Sequence, residues 1–325
     1  MWTILDAEGH PRDMGEAQGR PLALQIQEHA RAVDGFRRAR IPSLRGLTFG
    51  SRRGTGVGRE MIRHYTHLAE RMDGLARGAG VSIDSILALH ARDGEGTQVS
   101  DPTSCKATAL SVMGQNEEVG VTLARSLSEG SMANQGFCIR KSRPAVGFAS
   151  VEIVLPWMCT SLAGVNQAGL AACIVPAAGQ LSQDQADQDG FLDPPPLLLV
   201  QECLQRFESV ETAQDWAMSR PAWGHATLLL ADAEGDRVQV QYEGGQRCDQ
   251  RALDEPVWIG ASALDGELLL GGKPLQDALL SGEADIVQAL EVAAGERPVE
   301  NWVLLQPGRR ALEWRGQNSH FRIEI

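Results

Sequence analysis

The spacing of apolar residues changes at Pro102, and that change limits the folds open to the 325-residue chain. Before it the pattern is helical. Over residues 21–40, Leu22, Ile26, Ala30, Val33 and Phe36 recur at intervals of three or four behind Pro21, a residue suited to a helix start. The glycines of Gly54–Gly58 punctuate the chain. A second helix is predicted from Arg59 to Arg77, with Met61, Ile62, Tyr65, Leu68 and Met72 on one side, and a third runs to His90 behind a Ser82 cap. After Pro102 the apolar runs shorten to strand length: Ala107–Met113, Val119–Leu123, Val146–Leu155, Leu170–Val175, Ala226–Ala231 and Arg237–Tyr242, each bounded by turn formers. Helices are expected again over Leu197–Phe207, Val210–Met218 and Asp285–Ala294. Strands follow at Trp302–Leu305, Leu312–Trp314 and Phe321–Ile325. Segregated helices and strands of this kind give an α+β layered fold. We expect one domain over residues 1–325, with 1–104 as a helical N-terminal segment and 105–325 carrying the sheets.

Composition narrows the function. Forty-two acidic side chains against thirty basic ones give a net charge of −12, which disfavours a phosphate backbone as partner and so argues against nucleic acid. No apolar run of about 18 residues is present to cross a bilayer. The opening Met1-Trp2-Thr3-Ile4-Leu5-Asp6 lacks the basic and apolar regions of a signal peptide, so a cytoplasmic location is expected. The six cysteines, at 105, 138, 159, 173, 203 and 248, include no Cys-x-x-Cys pair and no zinc spacing. His64 and His67 lack a third ligand nearby, and Gly54–Gly58 has neither a preceding strand nor a following Gly-Lys-Ser/Thr. No metal or cofactor is therefore expected, and without a Gly-x-Ser-x-Gly elbow there is no anchor for a serine hydrolase.

One segment carries chemistry. In Asp101-Pro102-Thr103-Ser104-Cys105-Lys106-Ala107, a turn delivers a cysteine to the start of a strand, where helical texture gives way to sheet. A thiol there is held by a rigid backbone. If the bond before it were cut, the new α-amine, with an ordinary pKa near 8, would lie beside the sulfur and serve as general base. Nucleophile and base would then come from one residue.

Three stretches around this cysteine resemble the acyl-coenzyme A:6-aminopenicillanic acid acyltransferase (isopenicillin N acyltransferase) family of cysteine N-terminal-nucleophile hydrolases. They are Gly9 to Gly19 with glycines at 9, 15 and 19; Ile86–Asp93 followed by Thr103-Ser104-Cys105; and Gly164-Val165-Asn166-Gln167-Ala168-Gly169-Leu170-Ala171 with Gly224–Gly235. The resemblance covers the chain from about residue 5 onward. It implies a four-layer αββα sandwich, self-cleavage between Ser104 and Cys105, and an acyl-enzyme on the freed Cys105. It places Arg125 as polar support for catalysis and Ser128 where relatives hold the α-amine with a carboxylate. Arg92 and Asn166 stand in matching motifs as substrate-binding candidates, and Asn166 also suits the turn between its two strands. This chain departs from the pattern in carrying Ser104 for the glycine before the nucleophile, Ser128 for that carboxylate, Val175-Pro176 where an oxyanion-hole Asn is frequent, and Gly224-His225-Ala226 for a Ser-His-Asn.

The expected function is a cysteine-dependent amidohydrolase or acyltransferase acting on a small-molecule amide or acyl donor in secondary metabolism. The alternatives are an uncleaved relative that binds a small ligand or partner, and an uncleaved enzyme that uses Cys105 for another acyl transfer or a cyclisation. Self-association into a homo-oligomer is left open.

Overall fold

The computed structural model describes residues 3–39, 56–93, 108–113, 120–127, 136–176, 193–251, 257–261, 301–316 and 319–325. The α+β class expected from the sequence is what these residues form. β1 (Thr3–Gly9) leads into α1 (Pro11–Gly19), α2 (Ala23–Ala39), α3 (56–64), α4 (Thr66–Ala79) and α5 (Ile83–Asp93). Then come β2 (Thr108–Met113), β3 (Val121–Ser126), β4 (Cys138–Pro144), β5 (Ser150–Val154), β6 (Ala163–Asn166) and β7 (Ala171–Pro176). Helices α6 (Leu198–Arg206) and α7 (Val210–Ser219) precede β8 (Gly224–Ala231), β9 (Arg237–Gly244), β10 (Gln246–Arg251) and β11 (Val257–Ala261). The strands β12 (Asn301–Gln306), β13 (Ala311–Gly316) and β14 (Ser319–Glu324) end the chain.

The strands make two sheets. The larger runs β1-β4-β5-β6-β7-β8-β9-β10 and the smaller β11-β2-β3-β12-β13-β14. Every pairing is antiparallel except that of β1 with β4. The smaller sheet lies across β5–β8, while α6 packs on β6 and β7, and α7 on β8 and β9, from the other side. The described residues thus show three layers, helix on sheet on sheet; the helix expected over Asp285–Ala294 lies outside them.

Several elements differ from the sequence reading. The N-terminal segment is not only helical, because β1 adds a strand to the larger sheet with Leu5 and Ala7 buried on one side. Residues 56–60 begin a helix, so the Gly-rich run is no simple turn; a Cβ on Gly58 would meet the Leu87 side chain at 3.2 Å. The helix expected over Arg59–Arg77 breaks at Tyr65 (φ −133°, ψ 52°), whose buried hydroxyl donates to the Pro221 carbonyl at 3.1 Å. Tertiary anchoring of that ring overrides local periodicity.

The glycines of the first motif have a packing cause. A Cβ on Gly15 would sit 2.0 Å from the Arg71 carbonyl oxygen, and one on Gly74 would sit 1.9 Å from that of Arg12. Gly19 and Gly78 are nearly as tight, so α1 and α4 touch backbone to backbone.

Beneath this helix pair, on the helix side of the larger sheet, lies a closed polar network. Arg140 on β4 stands opposite Glu152 on β5, and the pair is 2.6 Å apart with no exposed side-chain surface. Arg140 also donates to Gln18 Oε1, Gln201 Oε1 and the carbonyls of Met158 and Thr160. All five guanidinium donors are spent. His90 is buried close by, receiving the Cys159 backbone N–H on Nε2 at 3.1 Å and holding the Ile86 carbonyl at Nδ1. Burial pushes its pKa down to about 4. Among the described residues no helix is long and apolar enough to cross a membrane.

Candidate active site

Strand alternation fixes what faces the space between the sheets. Gly164 points to the helices, since a Cβ there would meet Leu204 Cδ1 at 2.8 Å; its partner across β7 is Ala172, so Cys173 points to the smaller sheet. Tyr242 donates to the Ala217 carbonyl on α7, so Gln239 and Gln241 on the same strand point inward too. Thr227 is the cross-strand partner of Gln241 and shares that face.

Arg125 enters this layer from β3, which lies against β7 and β8. It is 4% exposed, and its Nε and Nη1 have no hydrogen-bond partner among the described residues. Burial lowers its pKa to about 10, and among the described residues Cys173 opposes that shift. The contrast with Arg140 is instructive. One buried arginine spends every donor and faces a carboxylate; the other is buried with Leu123, Val175 and Val303 and keeps donors unspent. A buried donor left unmade costs about 1–3 kcal/mol, and more for a charged group, which a purely structural arginine would not bear without return.

Four of the six cysteines are poor nucleophiles. Burial raises the Cys138 thiol to about 11 and those of Cys159 and Cys173 to about 12, and it pushes Cys203 up as well. A thiol so shifted carries almost no thiolate at neutral pH. Cys248 is exposed on β10. Cys105 and Ser104 lie outside the described residues, as does Ser128. The described strand β2 begins three positions after Cys105 and pairs with β3, with Ala109 opposite Arg125.

The remaining site candidates separate. Arg92 lies on α5, whose backbone is described there but not the Arg92 side chain. Asn166, expected to bind substrate, is spent on structure. It is wholly buried, donates to the Leu204 and Phe207 carbonyls and accepts from the N–H groups of Ala168 and Leu170. It also shares the helix-side face with its partner Ser150, which bonds to Glu152, and so lies across the sheet from Cys173. The motif Gly-x-Asn-x-x-Gly is a hairpin clamp here: Asn166 closes the β6–β7 turn and Gly169 takes φ +96°. Asp232 serves the second half of that motif in the same way, bonding to the N–H groups of Glu234, Asp236 and Val210. His64 and His67 face Glu60 and Glu202 respectively, and no metal-binding group exists among the described residues.

Sequence reasoning did not single out Thr227 and Gln239, which are 4% and 9% exposed. Their signal was the alternation of Arg237-Val-Gln-Val-Gln-Tyr-Glu243, in which the glutamines share one face.

No family model matches the chain, and no curated protein does. Solved structures do. A penicillin V acylase from Agrobacterium tumefaciens is 16% identical, with 67% of this chain and 86% of that one covered at a TM-score of 0.46. A mutant of a conjugated bile acid hydrolase from Clostridium perfringens is 12% identical, covering 67% and 92% at 0.48. A Caenorhabditis elegans ortholog of N-acylethanolamine-hydrolyzing acid amidase is 12% identical, covering 62% and 93% at 0.44.

Proposed function

We propose that the chain is a cysteine N-terminal-nucleophile amidohydrolase or acyltransferase, a divergent relative of the isopenicillin N acyltransferase family. In this reading the Ser104–Cys105 bond is cut by the protein itself, leaving segments of 104 and 221 residues in one domain. The freed α-amine of Cys105 takes the thiol proton as the sulfur attacks the carbonyl of a small amide. The tetrahedral intermediate collapses to a thioester as the amine departs with that proton. Water, or an acceptor amine, then attacks the thioester, and the thiol is restored. Dividing one acyl transfer into two steps is the gain from covalent catalysis.

The observation that carries the reading is Arg125. It is a cation held between the sheets with donors unspent, on the strand that pairs with β2, and chain length limits Cys105 to roughly 11 Å from Thr108. A fixed guanidinium can stabilise the oxyanion as it forms, because it needs no reorganisation in a water-poor layer. Lane-by-lane comparison of wild type and Cys105→Ala on a denaturing gel, together with amide turnover, tests this. Two bands and turnover in wild type, both absent in the variant, are expected. A single band with no turnover in wild type rejects the reading.

A specific feature favours a second reading. Pro176 and Ala226, which stand where relatives carry polar site groups, are register partners on β7 and β8 and share the helix-side face with Tyr242, so neither supplies a polar group between the sheets. An uncleaved chain that binds a ligand, or that uses Cys105 as an ordinary thiol, would give one band of about 35 kDa. Labelling of Cys105 by an acyl donor would separate those two.

A further inference from the structure

We infer that the inward face of β8 and β9 is the subsite for the departing amine, and that it takes a neutral, carboxamide-bearing group. This rests on the proposed function and extends it to substrate class. The inward face of the larger sheet is divided. Over β5–β7 it is apolar and closed, with Val151, Ile153, Val165, Ala171, Cys173 and Val175 all buried against the smaller sheet. At β8 polar side chains join this face around the buried Leu229, the register partner of both Cys173 and Gln239. Thr227 and Gln239, both more than nine-tenths buried, are diagonal neighbours, about 7–8 Å apart at the backbone and within reach of one ligand. Cys173, the electrostatic neighbour of Arg125, lies on β7, one strand spacing of about 4.8 Å from β8. β3, which carries Arg125, lies against β7 and β8, and Thr227 is the diagonal neighbour of Cys173, so the polar pair flanks Leu229 on the side of the sheet that Arg125 faces, within the span of an amide whose carbonyl lies at Arg125.

The chemistry of the pair selects the ligand. A hydroxyl and a carboxamide offer donors and acceptors together and no charge, which matches another carboxamide. A carboxylate is disfavoured there, since Glu243 follows on the same face of β9 and holds the Gln241 amide at 2.6 Å. Buried polar groups of this kind discriminate strongly against an isostere that lacks hydrogen-bonding atoms, because that isostere leaves them unpaired.

A two-stage experiment on the full chain tests this. p-Nitrophenyl esters of several acyl groups are first used to load Cys105, and the best acyl group is then built into its glycinamide and isobutylamine amides, which are close in shape. We expect kcat/KM to favour the glycinamide by about tenfold, roughly 1.4 kcal/mol. The ratio should fall toward one in both Thr227→Val and Gln239→Leu. Equal kcat/KM for the two amides in wild type overturns the subsite whether or not the variants fold, and so does an unchanged ratio in both variants. Failure of every ester to load Cys105 overturns the nucleophile on which the subsite rests, so the two failures are told apart.

Discussion

Replacing Arg125 by methionine should make the protein more stable and less active. The magnitude follows from the guanidinium's surroundings. Its pKa falls from the ordinary arginine value to about 10 because burial penalises the charge, and at neutral pH the side chain is still charged. Holding it so costs about 3 kcal/mol relative to the unfolded chain. Methionine keeps much of the aliphatic stem and removes both unpartnered nitrogens, so a net gain of about 1–3 kcal/mol is expected after some loss of packing. Arg140→Met is the control. It would take from Glu152 its directly paired cation in a fully buried network, leaving only the more distant Arg71, and should lose about 3–5 kcal/mol. Urea unfolding followed by tryptophan fluorescence at pH 7.5 reads both. Opposite signs for the same substitution are the signature of one arginine kept for function and one for structure. If Arg125→Met loses stability as Arg140→Met does, the guanidinium is a structural strut and the reasoning fails.

Three further outcomes are expected. His90 has a folded pKa of about 4, below its unfolded value of about 6.5, so its contribution is complete above the unfolded value and is lost as the pH falls from there toward 4. Between pH 7.5 and 4.5 this removes about 2.5 kcal/mol, and denaturant curves of wild type and His90→Gln at the two pH values should differ in their pH dependence by that amount. Gly74→Ala places a methyl 1.9 Å from the Arg12 carbonyl oxygen, and α1 and α4 must part by more than about 1 Å; a loss of about 2–4 kcal/mol should appear as a lower melting temperature. Asn166→Ala removes two donors and two acceptors from a buried clamp and should cost about 3 kcal/mol or more, with kcat/KM in the surviving folded fraction little changed, as befits a residue that faces α6.

The sequence made the α+β class, most strands and the helices α2, α5, α6 and α7 legible because their apolar periods are regular and their caps explicit, as with Ser82, which accepts the Ser85 N–H. It hid β1, β4, β6, β10 and β11. Cys138–Pro144 carries Arg, Lys, Ser and Arg, and only the network around Glu152 explains how charged residues occupy a central strand. Ala163–Asn166 is a four-residue strand whose Gly164 is needed for the close approach of α6. Arg125 stood out in the sequence through its motif, and the structure buries it on β3 against β7 and β8. Asn166 suited both a substrate contact and the turn between strands in the sequence, since each asks for the same amide, and its bonds to the Ala168 and Leu170 N–H groups are those of the turn. Thr227 and Gln239 became visible only once strand register showed that they share a face with Cys173.

The most direct test is the intact mass of the purified chain under denaturing conditions, before and after exposure to an activated acyl donor, with peptide mapping of any adduct. The account predicts a 221-residue species beginning at Cys105 that gains one acyl group on that residue, and no gain in Cys105→Ala. A single 325-residue mass that takes up no acyl group at Cys105 would contradict it.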